Sequence, residues 1–365
     1  MRTRWILAAA LLAAAGRTAA SAEGGGSGAS GSKRPVAGYV KISPEVQRTI
    51  DKGLQYLALT QQDDGAWGGD HWPKHAGISG FCLMALLSSG STPGEGPYGA
   101  EAQKAVDFLV EQVKPSGFIA TKWTSYGPMY GHAVAALSLS ETYGMSPRED
   151  MRPKLRSAID VIIKSQHPDG GWRYLPVPTG GSDISVTVCQ VMALRSARNA
   201  GFTVPKATID RAVDYVRRCA QDDGSFSYQA GSTWRGGITF PCTAAGLTTL
   251  YGAGAYDDKR LELGLARLFR IAPDIDQRTR WAESGHYFYG HYYAIQAMYQ
   301  AGGKYWEEWY PKIAKALVDR QGRDGGWDEG AYVHKKSGNI GRPYATAMAL
   351  TILQAPKRYL PIFHR

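Results

Sequence analysis

The chain has 365 residues, 44% of them hydrophobic and 20% charged, proportions that suit a folded body with a substantial core and exclude a disordered tail protein. Its net charge of +10 comes from scattered basic residues, with no basic tract interleaved with stacking aromatics, so nucleic acid is excluded as the expected partner. Length alone allows two domains, but an internal repeat running to the C-terminus argues for one continuous architecture.

The N-terminus reads as a separate segment. MRTR supplies positive charge, WILAAALLAAA is an apolar run too short to span a bilayer, and Ala20-Ser21-Ala22 has the small-x-small form of a cleavage site. Residues 1–22 are therefore expected to be a cleaved export signal, with a retained membrane anchor as the alternative. Loss of Arg2, Arg4 and Arg17 with the signal lowers the net charge from +10 to +7. Residues 23–42 form a Gly/Ser-rich linker. The body, 43–365, is expected to be secreted or periplasmic, with no transmembrane segment after signal cleavage.

The body repeats. KGLQYLALTQQDDGAW at 52–67 ends in Gln, Asp, Gly and an aromatic, and SQHPDGGW at 165–172, QDDGSF at 221–226 and RQGRDGGW at 320–327 return to that ending. A weaker copy, KPSGF, puts Gly117 52 residues beyond Gly65 and 53 before Gly170, and Gly224 follows 54 later. The 101 residues from Gly224 to Gly325 leave room for one more copy near Trp281, which makes six units.

Each unit holds two helical patterns. The first has one apolar stripe and one charged face, as in 46–61, 100–113, 151–166, 206–221, 258–271 and 305–321, and is expected on the outside. The second is poor in charge and rich in small residues, as in 78–90, 131–144, 183–201, 239–254, 289–303 and 343–356, and is expected to be buried on most sides. Six outer and six inner helices close into an all-α (α/α)6 toroid of six helix-pair repeats. An open superhelix is the alternative.

At these residues the chain resembles a known family. Lys52 to Trp67 is similar, position by position, to the QW repeat of squalene and oxidosqualene cyclases, in the terpenoid cyclase and protein prenyltransferase superfamily. The resemblance implies an α/α toroid. It also implies a structural role for Gln61, Trp67, Gln166, Trp172, Gln321 and Trp327, which tie outer helices to the next turn. Squalene-hopene type cyclases protonate an alkene from an Asp-x-Asp-Asp-Thr-Ala segment, and SDISVTV resembles it, with Asp183 and Thr187 in place. Ser185 and Val186 replace the other two carboxylates, and a lone Asp lacks the neighbours that strengthen such an acid, which argues against proton-initiated cyclisation. The zinc set of prenyltransferases needs Asp-x-Cys, and a magnesium-diphosphate site needs Asp-Asp-x-x-Asp. The chain has neither, so no metal and no cofactor is expected.

Counting back twelve from Gly144, Gly201, Gly254 and Gly303 places His132, Cys189, Cys242 and His291 at one level of four inner helices. Two Cys and two His could hold zinc, or Cys189 and Cys242 could form a disulfide. Helical rotation turns Cys189 about 120° from Asp183, and plain packing is preferred. Function is expected at the mouth, where loops enter the inner helices. Asp183 is the candidate acid, and Tyr126, Tyr130, His132, Trp234, Arg235, Tyr287, Tyr289, His291, Arg342 and Tyr344 are the candidate ligand-binding residues. Asp70, His71, Trp72, His75 and His286 also lie in these loops. Aromatic walls with few polar groups suit an apolar or cationic small molecule. The chain is read as binding an isoprenoid-like ligand, terpenoid cyclase-like if it is an enzyme. The alternatives are a secreted carbohydrate-active toroid, which needs two carboxylates across the cleft, with Asp70 and Glu283 as partners for Asp183, or a non-catalytic binding scaffold.

Overall fold

Charge-rich and charge-poor helices alternate along the chain in this computed structural model. It describes residues 37–69, 72–122, 127–146, 148–232, 239–271, 286–329 and 340–364. In chain order the pairs are α1 (Pro44–Thr60) with α2 (Ala76–Leu87), α3 (Gly99–Glu111) with α4 (Pro128–Thr142), and α5 (Met151–Lys164) with α6 (Ile184–Asn199). They continue with α7 (Lys206–Cys219) and α8 (Phe240–Gly252), then α9 (Arg260–Arg270) and α10 (Tyr287–Ala301). A short α11 (Gly303–Glu307) precedes α12 (Trp309–Val318), which pairs with α13 (Arg342–Gln354). No strand occurs among the described residues, and none of their helices is long and apolar enough to cross a membrane.

Burial separates the two layers. On α7 the buried Thr208, Ala212, Val213, Tyr215, Val216 and Cys219 fall on one stripe, while Arg211, Asp214, Arg217 and Arg218 face out. On α2 every residue is buried, because a helix lined with Gly, Ala, Leu and Phe finds neighbours on all sides. The inner helices pack in the order α2, α4, α6, α8, α10, α13, and α13 packs on α2. The ring is closed, as the alternation of patterns predicts.

A lattice of turns fixes the outer layer. Gly65, Gly117, Gly170, Gly224 and Gly325 all have φ between +83° and +98°, a region that side chains disfavour. A Cβ at any of them would strike the backbone carbonyl of the next outer helix, at Lys104, Ser157, Arg211 and Leu263 in turn, and at Lys52 of α1 for Gly325. Glutamine adds a second tie. The amide of Gln61 donates to Glu101 O (2.9 Å), that of Gln166 to Thr208 O (2.8 Å) and that of Gln321 to Thr49 O (2.8 Å). The sixth turn is thus fastened to the first helix, and closure is built twice. Trp67, Trp172 and Trp327 are fully buried, and their indole N–H groups donate to Leu57, Ile162 and Leu317 at the ends of their own outer helices.

The end of the ring at the inner-helix C-termini is sealed. The 3-10 turn Pro361–Phe363 touches both α6 and α10, which are not neighbours in the ring, so it lies across the axis. Arg195 donates to His364 O, and Gln300 to Phe363 O at 2.9 Å. Of the expected leader and linker, residues 1–36 lie outside the described residues. At the linker's end Ala37 O accepts from Arg358 (2.8 Å) and Gly38 O from the Trp306 indole (2.9 Å), so its last residues are held by the body.

Candidate functional site

Each inner helix begins just after its turn, so the inner N-termini gather at one end, the mouth. Tyr174 and Tyr228 stand two residues past the turn aromatics Trp172 and Phe226. Their carbonyls accept from Met129 N (3.0 Å) and Ile184 N (2.9 Å), the first turns of α4 and α6. This backbone pairing holds both tyrosines at the mouth and satisfies helix N–H groups that would otherwise lack partners.

Asp183 is the N-cap of α6, with its backbone N–H bonded to Trp172 O at 3.0 Å. Its Oδ1 accepts from Val186 N (2.9 Å) and from the Ser185 hydroxyl (2.6 Å). Ser185 has one proton to give, so the hydroxyl 2.5 Å away on Tyr130 must be the donor to Ser185. From α10, Tyr289 donates to Ser185 O at 2.8 Å. Because α10 does not adjoin α6, this bond spans the axis. Tyr174 and Tyr228 join hydroxyl to hydroxyl, and the rings of Tyr130 and Tyr174 lie 6.0 Å apart. The four half-buried tyrosines, together called the cup, cluster around a fully buried carboxyl.

Burial pushes the Asp183 carboxyl above its ordinary value, against the lowering pull of Ser185, the Val186 N–H and the Tyr228 hydroxyl. Tyr228 bears on the carboxyl through a side-chain hydrogen bond, and Oδ2 has no other partner. With Oδ1 accepting twice, a proton on Asp183 belongs on Oδ2. Below the cup the axis is filled. Cys189 meets the Tyr293 hydroxyl at 3.1 Å, and Phe81 of α2 packs edge-on to Tyr292 at 5.3 Å, again between helices that are not neighbours.

The expected site residues divide. Tyr130 and Tyr289 form the cup, and Asp183 lies beneath it. Tyr344 is buried and packs on Phe81 at 5.8 Å, as part of the filling below the cup. Arg342 bonds to Asp324 (2.6 Å) and lies 5.4 Å over Tyr56, which places it in the sixth turn. Tyr287 sits under the Arg320 guanidinium at 4.8 Å and against His291 at 4.4 Å. Tyr126, Trp234 and Arg235 lie outside the described residues, as do Asp70, His71, Trp281 and Glu283.

His132 and His291 do not face the axis. His132 accepts from Ile119 N at 3.0 Å through Nδ1 and meets Ala158 O at 3.1 Å through Nε2, so both ring nitrogens are bound to backbone in the outer layer. Burial pushes it down to about 4. Ser79, Thr187, Thr243 and Thr346 use their hydroxyls in the same way, toward the N–H of Trp67, Trp172, Phe226 and Trp327. Thr187, which matches the cyclase motif, thus serves the repeat. His291 packs on Phe240 (4.8 Å) and Trp309 (6.1 Å), and burial with the nearby Arg320 pushes it down to about 3. The supposed level of two Cys and two His does not converge, and all four cysteines are free and buried. Among the described residues no group of three His, Cys, Asp or Glu is placed to hold a metal ion.

Ser185, Tyr174 and Tyr228 belong to the cluster around Asp183 without having been expected there, and Glu329 is a further buried carboxyl beside a turn. The signal was available, since 174, 228 and 329 all stand two past a turn aromatic. Glu329 accepts from Ile340 N at 2.8 Å, and burial pushes it up to about 7 despite that bond. It precedes α13, which faces α6 across the ring.

The fold defines an α/α toroid, with a tyrosine cluster around a buried carboxyl at one end of its axis. The family model of the prenyltransferase alpha-alpha toroid domain matches residues 99–283, just over half of the sequence, and the chain belongs to that family. Among solved structures it is similar to the type II terpene cyclase MstE from Scytonema, at 16% identity over 87% of this chain and 100% of the other, with a TM-score of 0.59. It is also similar to the GH76A alpha-1,6-mannanase from Salegentibacter sp. HEL1_6, at 9% identity over 86% and 99%, with a TM-score of 0.62. At these identities the likeness is one of fold.

Proposed function

We propose that this is an exported toroid protein whose cup receives an isoprenoid-like or other apolar ligand, with Asp183 as the group on which any chemistry turns. The observation that carries the reading is the fully buried Asp183 carboxyl among four half-buried tyrosines at the N-terminal end of the inner helices. A structure of MstE holds geranylgeranyl dihydroxybenzoate as substrate, which supports an apolar chain as the ligand class. Ordinary proton-initiated cyclisation stays disfavoured, because Ser185 and Val186 stand where that motif has carboxylates. The test is native mass spectrometry of the chain purified without detergent. A retained prenyl-like lipid is expected, and a chain that retains none and takes up none of a panel of isoprenoid alcohols would end the reading. For export, N-terminal sequencing of the mature protein from a periplasmic or culture fraction should begin at Glu23.

One observation favours a second reading. Glu329 precedes α13, which faces α6 across the ring, and burial raises both it and Asp183, as for the acid of a glycosidase. Release of reducing ends from an α-linked mannan, lost in Glu329→Gln, would favour this carbohydrate-active role over the first.

A further inference from the structure

Adjacent residues of α6 serve two different partners at the C-terminal end of the inner helices. Ser196 donates to Glu141 Oε1 at 2.6 Å, which ties the last turn of α4 to α6. Arg195 donates through Nη2 to His364 O, which ties α6 to the C-terminal strap that also reaches α10. From α10, Gln300 donates to Phe363 O at 2.9 Å, and the Phe363 ring packs on Tyr299 at 5.4 Å. His364 Nε2 meets Arg358 O at 2.9 Å, and Arg358 in turn donates to Ala37 O at 2.8 Å. The strap thus joins both ends of the body.

Glu141 is poorly served in either protonation state. Its Oε2 is buried without a partner, so a proton there has no acceptor and a negative charge there has no donor. Arg195 attracts the carboxyl, but its Nη2 is engaged with the strap. Among the described residues, α2, α3 and α5, the other helices against α4, bring no charge that bears on Glu141. Tyr292 of α10 lies within its field, and Arg198 and Tyr256 bear on Arg195. Burial outweighs these neighbours and pushes Glu141 up to about 7. Ionisation therefore sets a bare charge beside a guanidinium committed elsewhere. Either Arg195 leaves His364 O to answer it, or the strap lifts and water does.

We propose that the strap, residues 361–364, is a pH-operated latch that lies closed across the axis while Glu141 is protonated and loosens as that carboxyl ionises. The group is raised from its ordinary 4.5, so closure is favoured most below pH 4.5 and is lost progressively up to about pH 7. Hydrogen exchange of the full chain at pH 5 and pH 8 tests this, read as protection factors of the Phe363 and His364 amides. Both amides are bonded within the strap, to Leu360 O and Pro361 O. Protection should fall at least about tenfold at the higher pH. The fall should vanish in Glu141→Gln and persist in His364→Gln, which removes the strap's own titratable ring. Thermal melts at pH 5 establish that both variants are folded. Equal protection of the native chain at the two pH values would overturn the latch, as would a fall that survives in Glu141→Gln or disappears in His364→Gln.

Discussion

The two ends of the toroid axis each bury a carboxyl, and the two are built alike. At the mouth, Asp183 accepts from Ser185 at 2.6 Å and has Tyr228 as a second side-chain partner; at the floor, Glu141 accepts from Ser196 at 2.6 Å and leaves Oε2 without a partner. Burial raises both. They differ in what lies above them. Glu141 is faced by Arg195 at the end that Pro361–Phe363 crosses, whereas Asp183 sits among half-buried tyrosines. A perturbed carboxyl therefore does not mark a site on these grounds alone. The chemistry of the surrounding side chains separates the proposed ligand end from the floor.

The comparison breaks most completely if the floor is opened. Phe363 is buried to 2% exposure and packs edge-on to Tyr299 at 5.4 Å. Phe363→Ala should cost about 3–5 kcal/mol in urea denaturation, as for other large buried aromatics. It should also hydrate Glu141 and bring its titration back toward an ordinary glutamate. The next effect is that of Glu141 itself. Its folded value of about 7 exceeds the ordinary 4.5, so its contribution is fully present below pH 4.5 and is lost as pH rises to about 7. The whole loss is about 3 kcal/mol. His132 and His291, pushed down to about 4 and about 3, act oppositely, and the stability they carry is lost as pH falls below about 6.5. In the native chain these slopes partly cancel. Glu141→Gln should expose the histidine slope, so that stability rises more steeply from pH 4.5 to 7 than in the native chain. An unchanged profile would show Glu141 ionised in its site.

Much of this was legible from the chain, for reasons that differ by residue. The turn glycines and Gln–Trp ties are written in several copies, each under the same steric demand, so spacing revealed the toroid and its closure. Asp183 was legible through the segment SDISVTV. His132 was misplaced because counting back from the terminal glycines aligned it with Cys189, while its hydrogen bond aligns it with Thr187. The distance from turn glycine to that position grows from Gly65–Ser79 to Gly325–Thr346, so loop length hides the register. Ser185 was read as the loss of a carboxylate. In the fold it is the residue that holds Asp183, Tyr130 and Tyr289 together, a meeting of α4, α6 and α10 that no local pattern reports.

A smaller effect probes the walls of the cup. Tyr289→Phe removes the bond to Ser185 O that crosses the axis, which should cost about 1 kcal/mol. Hydrogen exchange at the first turn of α6 is the measurement, and it should quicken there while the floor is unaffected. Quickening at both ends would mean that the axis responds as one body.

The smallest stability effect belongs to the residue of greatest functional weight. Asparagine caps helices about as well as aspartate, and in Asp183→Asn the side-chain carbonyl can keep both bonds, to Val186 N and Ser185. The amide nitrogen then occupies the position of Oδ2, where it can donate to the Tyr228 hydroxyl. Thermal melts should therefore shift by less than about 1 kcal/mol, and the dependence on pH contributed by this group should vanish. Glu141→Gln removes a titrating group from the floor and should leave ligand retention intact. Asp183→Asn, equally mild to the fold, should abolish any ligand-dependent rise in melting temperature. If both variants retained ligand alike, the two carboxyls would be equivalent and the mouth would lose its claim to be the site.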